Sequence, residues 1–510
     1  MAIFAFFSFD GFYFYDDYTY IYYAHQIVSG EYQIANTDIF AHRWGLIFPL
    51  ALSLKIFGTN EWAVCIVPVL ASLCSFYILY LFSQHLPPQS RLYALFFFGL
   101  DFYTLFFANK IYPDVLLTTL ALGSLYFLWH RSNKWYNIAY FVFCNFWAFL
   151  CKELIIYLLP FYAFLLIKDL LKKQNYIFWL GATSLSLLLF ACYLAIYAYF
   201  TGDLLFRFRA IEAGHQLYGQ FSYYEKGINA LLKRISYEPF LMFIQTSTII
   251  TLSGVFAYCL PICKTKTYKL FLLCEDISAF MCLSVLSGLA MFWLMTSSFS
   301  RYEPIGLYPR HILFLLPLGA CLTAIALTSR KASFVVSVIL LFSAYWSWQS
   351  GTTKLAVLYV LLAIWAILQT FDFPKVPKIF WQSSLMLILL LHPFYTVLKP
   401  TETGYWAEKE IFEKHIIKIQ EPCVIYTDGK LLTGYRWYLK FKKNDWIQFK
   451  DFKELEKDSA LSVKKYVLIN SYSIAYFRQI GLQFPSFVSE QPKSWHKIAK
   501  KGSINLYLIE

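Results

Sequence analysis

Two adjacent carboxylates, Asp16 and Asp17, follow an apolar run that ends near residue 15, and they open a stretch with Tyr18, Tyr20, Tyr23, Ala24 and Ile27 at helical spacing. One acidic residue suffices to begin a helix, because a carboxylate accepts from the unpaired backbone N–H groups and sits well at the positive end of the helix dipole. The second carboxylate is the one that capping leaves unexplained. Placed where a chain leaves an apolar span, it is the kind of group that holds a hydroxyl and takes its proton during attack. The pair could also ligate a hard divalent cation, so the sequence leaves the metal unassigned.

Cations and further carboxylates follow in short clusters: His42-Arg43-Trp44-Gly45, Tyr112-Pro113-Asp114, Cys151-Lys152-Glu153 and Tyr308-Pro309-Arg310-His311. Each alone reads as well as an interfacial anchor or a local ion pair, since long basic side chains reach toward headgroups at the ends of spans. Their shared side of the membrane, argued below, is what gives them weight. Together Asp16, Asp17 and Asp114 supply carboxylates for a nucleophile's proton, and Arg43, Lys152 and Arg310 supply positive charge for a phosphate. His42, Glu153 and His311 are further candidates by position.

The elements that must position these groups are membrane helices. The chain has 510 residues, of which 59% are hydrophobic and 21% aromatic while only 15% are charged. A soluble protein of that make-up could not cover its core. The apolar residues come in blocks of roughly 18 to 25, the length that crosses the hydrocarbon layer. They lie near 1–15, 62–84, 91–108, 112–130, 135–151, 153–168, 175–200, 240–262, 277–298, 309–328, 332–349, 354–371 and 379–398, about thirteen spans in all. Asp101 falls inside one block and is expected to hydrogen-bond to a neighbouring helix.

The net charge of +13 could suggest nucleic acid. The basic residues instead occupy alternate short loops: Arg91, Arg131 with Lys134, Lys168 with Lys172 and Lys173, Lys264 with Lys266 and Lys269, Arg330 with Lys331, and Lys375 with Lys378. That alternation is the positive-inside pattern, with the N-terminus cytoplasmic and the longer loops 16–61 and 201–239 outside. The partners this predicts are membrane lipids, with no nucleic acid. No basic n-region or cleavage site marks a signal peptide at residues 1–14.

From about residue 400 the long apolar blocks stop, and short β-type runs (Cys423 to Tyr426, Tyr466 to Ile469, Ile504 to Ile509) alternate with amphipathic stretches. The predicted architecture is an all-α polytopic membrane domain over 1–399 and a small α/β domain over 400–510, outside the membrane. That second domain holds one cysteine, Cys423, and so no internal disulfide. It is expected to shape the acceptor's approach and to contribute no catalytic side chain.

In order, these features resemble the GT-C class of membrane glycosyltransferases, especially the group of protein O-mannosyltransferases and the lipid A aminoarabinose transferase. The resemblance rests on Asp16-Asp17 after the first span, His42-Arg43 and Phe57-Gly58, Asp114 opening a span, Lys152 between two spans, Thr201-Gly202-Asp203, and Tyr308-Pro309-Arg310. It covers most of residues 13–320, and the order of the motifs carries it. It implies inverting transfer of a hexose or pentose from a polyprenyl monophosphate to a hydroxyl on a lipid, glycan or protein. Asp16 would be the general base, with Asp17 and Asp114 supporting it, and Arg43, Lys152 and Arg310 would hold the lipid phosphate. The implied location is a bacterial inner membrane with the site on the extracytoplasmic side, and no cofactor is required. No P-loop, dinucleotide fingerprint or soluble D-x-D domain suggests a nucleotide-sugar donor. A transporter or flippase of lipid-linked glycans is the alternative, but it would gather ionisable groups near the midplane and show pseudo-repeats.

Overall fold

The structure is a computed structural model that describes residues 2–217, 222–223, 225–262, 276–371, 376–398, 403–458, 463–479 and 481–509. Lys264, Lys266, Lys269 and Lys375, part of the expected basic alternation, lie outside the described residues. Among the described residues, seven helices are long and apolar enough to cross a membrane. They are Glu61–Ser83, Glu153–Leu171, Tyr176–Thr201, Ile277–Leu294, Pro309–Ala326, Arg330–Gln349 and Lys378–Leu398. Five shorter apolar helices accompany them: Trp44–Phe57, Pro113–Trp129, Trp135–Cys151, Thr248–Cys259 and Thr353–Leu368. The protein is an integral membrane protein, helical but for a small C-terminal sheet, as its apolar blocks predict.

Three of the expected spans are built differently, and that at 240–262 is two helices, Glu238–Gln245 and Thr248–Ile262. The first, placed at 1–15, has a helix only over Ala2–Phe7, and the chain from residue 8 to residue 14 is irregular up to the Tyr15–Ser29 helix. The block at 91–108 is two helices, Pro88–Gly99 and Phe102–Phe107. Asp101 is the N-cap of the second, accepting from Thr104 N at 2.9 Å, and it also accepts from Thr251 Oγ1 at 3.2 Å. A carboxylate within an apolar run ends one helix here and starts the next.

Two spans begin alike. Glu153–Leu158 and Pro309–Leu315 are 3₁₀ turns that run into the helices Leu159–Leu171 and Leu316–Ala326. Pro160 and Pro317 each lie in the first turn of the helix that follows. Proline has no N–H to give an i→i−4 bond, so the turn before it tightens to the i→i−3 pattern. Each tightened turn lies beside the charged residues of interest, Lys152 with Glu153 and Arg310 with His311.

The chain falls into two compact units. One comprises Met1–Phe7, Gln33–Leu46 and Pro68–Leu398 and is helical. The other comprises Ser8–Tyr32, Ile47–Val67 and Lys399–Glu510.

The second unit contains a five-stranded sheet, β1 (Cys423–Thr427), β2 (Ile447–Asp451), β3 (Lys464–Asn470), β4 (His496–Lys501) and β5 (Ile504–Ile509), in the order β2-β1-β3-β5-β4. β1 runs parallel to β2 and β3, whereas β5 is antiparallel to both β3 and β4. β1 is buried along its whole length, as a central strand covered on both faces should be. Val424, Tyr426, Val467 and Ile469 pack with Phe452, Ile474, Phe487 and Val488 to form the core on one face. β4, an edge strand, carries Lys497, Lys500 and Lys501, charges that discourage another chain from adding there.

Candidate functional site

Within the helical unit, charged residues from five segments meet. Pro113 opens the Pro113–Trp129 helix, where a missing N–H costs nothing, and this sets Asp114 in the first turn. Asp114 is 1% exposed, and its Oδ1 accepts from Lys152 Nζ at 2.6 Å. Its other oxygen, Oδ2, is buried and makes no hydrogen bond. Lys152 caps the C-terminal end of Trp135–Cys151 in an extended conformation. Burial, the largest influence, and the neighbouring cations Arg310 and Arg43 hold its pKa down at about 8, against the pull of Asp114 in the other direction.

Glu153 takes the opposite arrangement, one carboxylate between two guanidinium groups. It accepts from Arg43 Nη1 at 2.8 Å through Oε2 and from Arg207 Nη2 through Oε1. Arg43 also donates to the Cys151 carbonyl at 3.3 Å. The approach depends on Gly45: a Cβ there would stand 2.5 Å from Cys151 Sγ and 2.6 Å from Cys151 N. Trp147 Nε1 closes the contact by donating to the Gly45 carbonyl at 3.1 Å.

Arg310 lies over the rings of Tyr112, at 4.8 Å, and Tyr308, at 5.5 Å. The Tyr-Pro-Asp and Tyr-Pro-Arg motifs therefore meet, with a tyrosine from each against the Arg310 guanidinium. His311 is buried, and its Nδ1–H donates to the Gly306 carbonyl at 2.8 Å. His42 is buried too. A carbonyl can only accept, so His42 Nε2 donates to Asn36 O at 2.7 Å, leaving Nδ1 to accept from Tyr197 O–H at 3.0 Å. Burial above all, with Arg207 and Arg43 nearby, lowers its pKa to about 4. His42 is thus a neutral, doubly bonded spacer at pH 7.

The structure brings together Arg43, Asp114, Lys152, Glu153, Arg310 and His311. It adds Arg207, Tyr112 and Tyr308, for which the sequence reading assigned no role. Arg207 is 1% exposed and lies against the rings of Phe149 and Tyr193, and its Nε is buried and without a hydrogen bond. Its signal was an arginine between Phe206 and Phe208, just after a long apolar helix. Among Arg43, Lys152, Arg207, Arg310, Asp114 and Glu153, the cations exceed the carboxylates by two charges. Four cations gathered there, Lys152 and Arg207 of them buried, suit an anion.

Asp16 and Asp17 belong to the other unit. They differ from each other. Asp17 is fully buried, and its Oδ2 accepts from the backbone N–H of Tyr13 at 2.9 Å and of Phe14 at 3.3 Å, so it caps its own helix. Asp16 is partly exposed. Among the described residues, no three or more His, Cys, Asp or Glu side chains cluster as a metal site would need.

Comparison with known proteins gives one family match over part of the chain and a shared fold. Residues 45–196 match the family model for dolichyl-phosphate-mannose-protein mannosyltransferases. Among solved structures, the chain is similar to ArnT from Cupriavidus metallidurans. Against its apo structure the TM-score is 0.51 at 12% identity, covering 97% of this chain and 93% of that one. Against ArnT bound to undecaprenyl phosphate the TM-score is 0.56 at 11% identity, covering 99% and 96%. None of the curated proteins compared with the sequence matches it significantly.

Proposed function

We propose that the protein transfers one hexose or pentose from a polyprenyl monophosphate to a hydroxyl on a lipid, glycan or protein. The reading places this at the extracytoplasmic face of a bacterial inner membrane, with loops 16–61 and 201–239 and the domain over 400–510 on the same side. The observation that carries it is the gathering of four cations, buried Lys152 and Arg207 with half-buried Arg43 and Arg310. The similarity to a protein solved with undecaprenyl phosphate supports the choice of anion.

In this reading the acceptor oxygen attacks the anomeric carbon as Asp16 takes its proton. The bond from that carbon to the phosphate oxygen breaks on the opposite face, which inverts the anomeric centre. The electron pair leaves with the lipid phosphate, whose growing charge the cations stabilise. Asp114 holds Lys152 in place, and Asp17 holds the start of the helix that carries Asp16. A monophosphate leaving group met by this many cations needs no metal, so turnover should survive chelation of divalent ions.

The test is mass spectrometry of surface glycolipids and glycoproteins from cells with and without the protein. Loss of one sugar from one class of acceptor is expected and names donor and acceptor together. Unchanged glycans, with a lipid-linked sugar accumulating on the cytoplasmic leaflet, would overturn transfer in favour of transport.

A further inference from the structure

The unit that contains the C-terminal sheet also contains the helix that carries Asp16, and the two are joined by a chain of buried hydrogen bonds. Tyr18 on that helix is 2% exposed, and its hydroxyl lies 2.6 Å from the hydroxyl of Tyr438. Tyr438 spends its own proton on Glu408 Oε2 at 2.5 Å, so the bond between the tyrosines runs from Tyr18 to Tyr438. Glu408 also accepts from Lys430 Nζ at 3.0 Å and from Asn470 Nδ2. Glu408, Lys430 and Asn470 are fully buried. Lys430 is fastened in turn to the Thr403 carbonyl at 3.0 Å, and Thr403 Oγ1 donates to the Asp10 carbonyl at 3.1 Å.

Packing fixes the same helix from both ends. The ring of Tyr18 lies against Gly434, where an added Cβ would come within 3.1 Å of it. Phe14, just before the helix, meets Tyr476 and Phe477 at ring distances of 4.5 and 5.3 Å. Gly11, with φ of 101°, would place a Cβ 2.2 Å from Tyr405, so only glycine lets the chain pass there. Toward the far end, His25 stacks on Phe441 at 4.0 Å, and Arg436 lies 4.6 Å over Tyr22.

A helix turns about 100° per residue, so residue 16 lies about 200° around the axis from residue 18. Locking Tyr18 against the C-terminal domain therefore turns Asp16 away from it. A network with every member satisfied admits one setting of the helix, whereas apolar packing alone would tolerate several.

We infer that Tyr438 and Glu408 are positioning residues for Asp16: through Tyr18 they fix the rotation of the Tyr15–Ser29 helix, which makes the C-terminal domain part of the catalytic apparatus. This rests on the reading of Asp16 as the general base. It also reverses the expectation that the domain only shapes the acceptor's approach.

The test uses the purified full-length protein with a panel of polyprenyl-phosphate hexoses and pentoses, scoring release of the polyprenyl monophosphate. Tyr438→Phe should lower kcat about 10-fold through misplacement of the base while the donor KM stays within about 2-fold. Amides of residues 15–24 should exchange hydrogen faster in this variant, with the exchange of β1 and β3 unchanged. In an Asp16→Asn background the same substitution should cost nothing more, because its effect passes through Asp16. Losses that multiply in the double variant, or a Tyr438→Phe protein with parental kcat, would overturn the inference while leaving the base assignment standing. Near-parental turnover of Asp16→Asn would overturn the base assignment and this inference with it. Should Tyr438→Phe fail to fold, Tyr18→Phe removes only the outermost bond, and the same outcomes apply to it at about 3-fold.

Discussion

Two buried charge clusters in this protein are built on opposite principles. In the C-terminal domain, Glu408 is matched by Lys430, Asn470 and Tyr438, which all donate to its carboxylate. In the helical unit, the cations outnumber Asp114 and Glu153, an oxygen of Asp114 makes no hydrogen bond, and the Lys152 ammonium is held near its point of deprotonation. A balanced cluster specifies a structure, while an unbalanced one stores a demand that a ligand can meet. The first is expected to respond to substitution through stability and through the setting of the helix that carries Asp16, the second through donor binding.

The largest difference should come from breaking each cluster once. Glu408→Leu leaves Lys430 buried without its carboxylate and should cost about 3–5 kcal/mol, read by denaturation of the purified protein. Lys152→Met should instead raise the donor KM by roughly 30-fold, the cost of removing one buried charged partner of a phosphate. It also strands Asp114. Adding Asp114→Asn should therefore recover stability without recovering donor affinity, and recovery of both would make the Lys152 pair merely structural.

A smaller effect is expected from pH. Lys152 is cationic below about pH 8 and neutral above it, so the donor KM should rise as pH passes that value. Lys152→Arg keeps its charge throughout and should flatten the profile. A parental KM with no inflection near pH 8 would remove Lys152 from the phosphate site. Smallest is Asp17→Ala, which deletes a helix cap and should cost about 1 kcal/mol of stability with little change in turnover.

Much of this was legible in the sequence, for a physical reason. Membrane spans declare themselves by length and apolarity, and Arg43, Lys152, Glu153 and Arg310, expected on one side from the alternation of basic loops, come together in the fold. Three strands were visible because Cys423–Thr427, Lys464–Asn470 and Ile504–Ile509 are apolar runs buried in the sheet. Ile447–Asp451 and His496–Lys501 were not, because edge strands need little apolar surface and carry charge. The break at Asp101 was hidden because aromatic residues keep a broken segment as apolar as a helix. Arg207 was hidden because its charged partner, Glu153, is 54 residues away in sequence. The union of Ser8–Tyr32 with the C-terminal domain was hidden for the same reason, since the contact between Tyr18 and Tyr438 spans 420 residues.

The measurement that tests the account most directly is turnover of purified Asp16→Asn with a polyprenyl-phosphate donor, set beside its affinity for that donor. Asparagine keeps the size of aspartate and can still cap a helix, so only the proton-accepting charge is lost. Turnover is expected to fall by roughly 10² to 10⁴ with donor binding unchanged. A rate near that of the parent protein would contradict the account and make Asp17 or Asp114 the first group to try in its place.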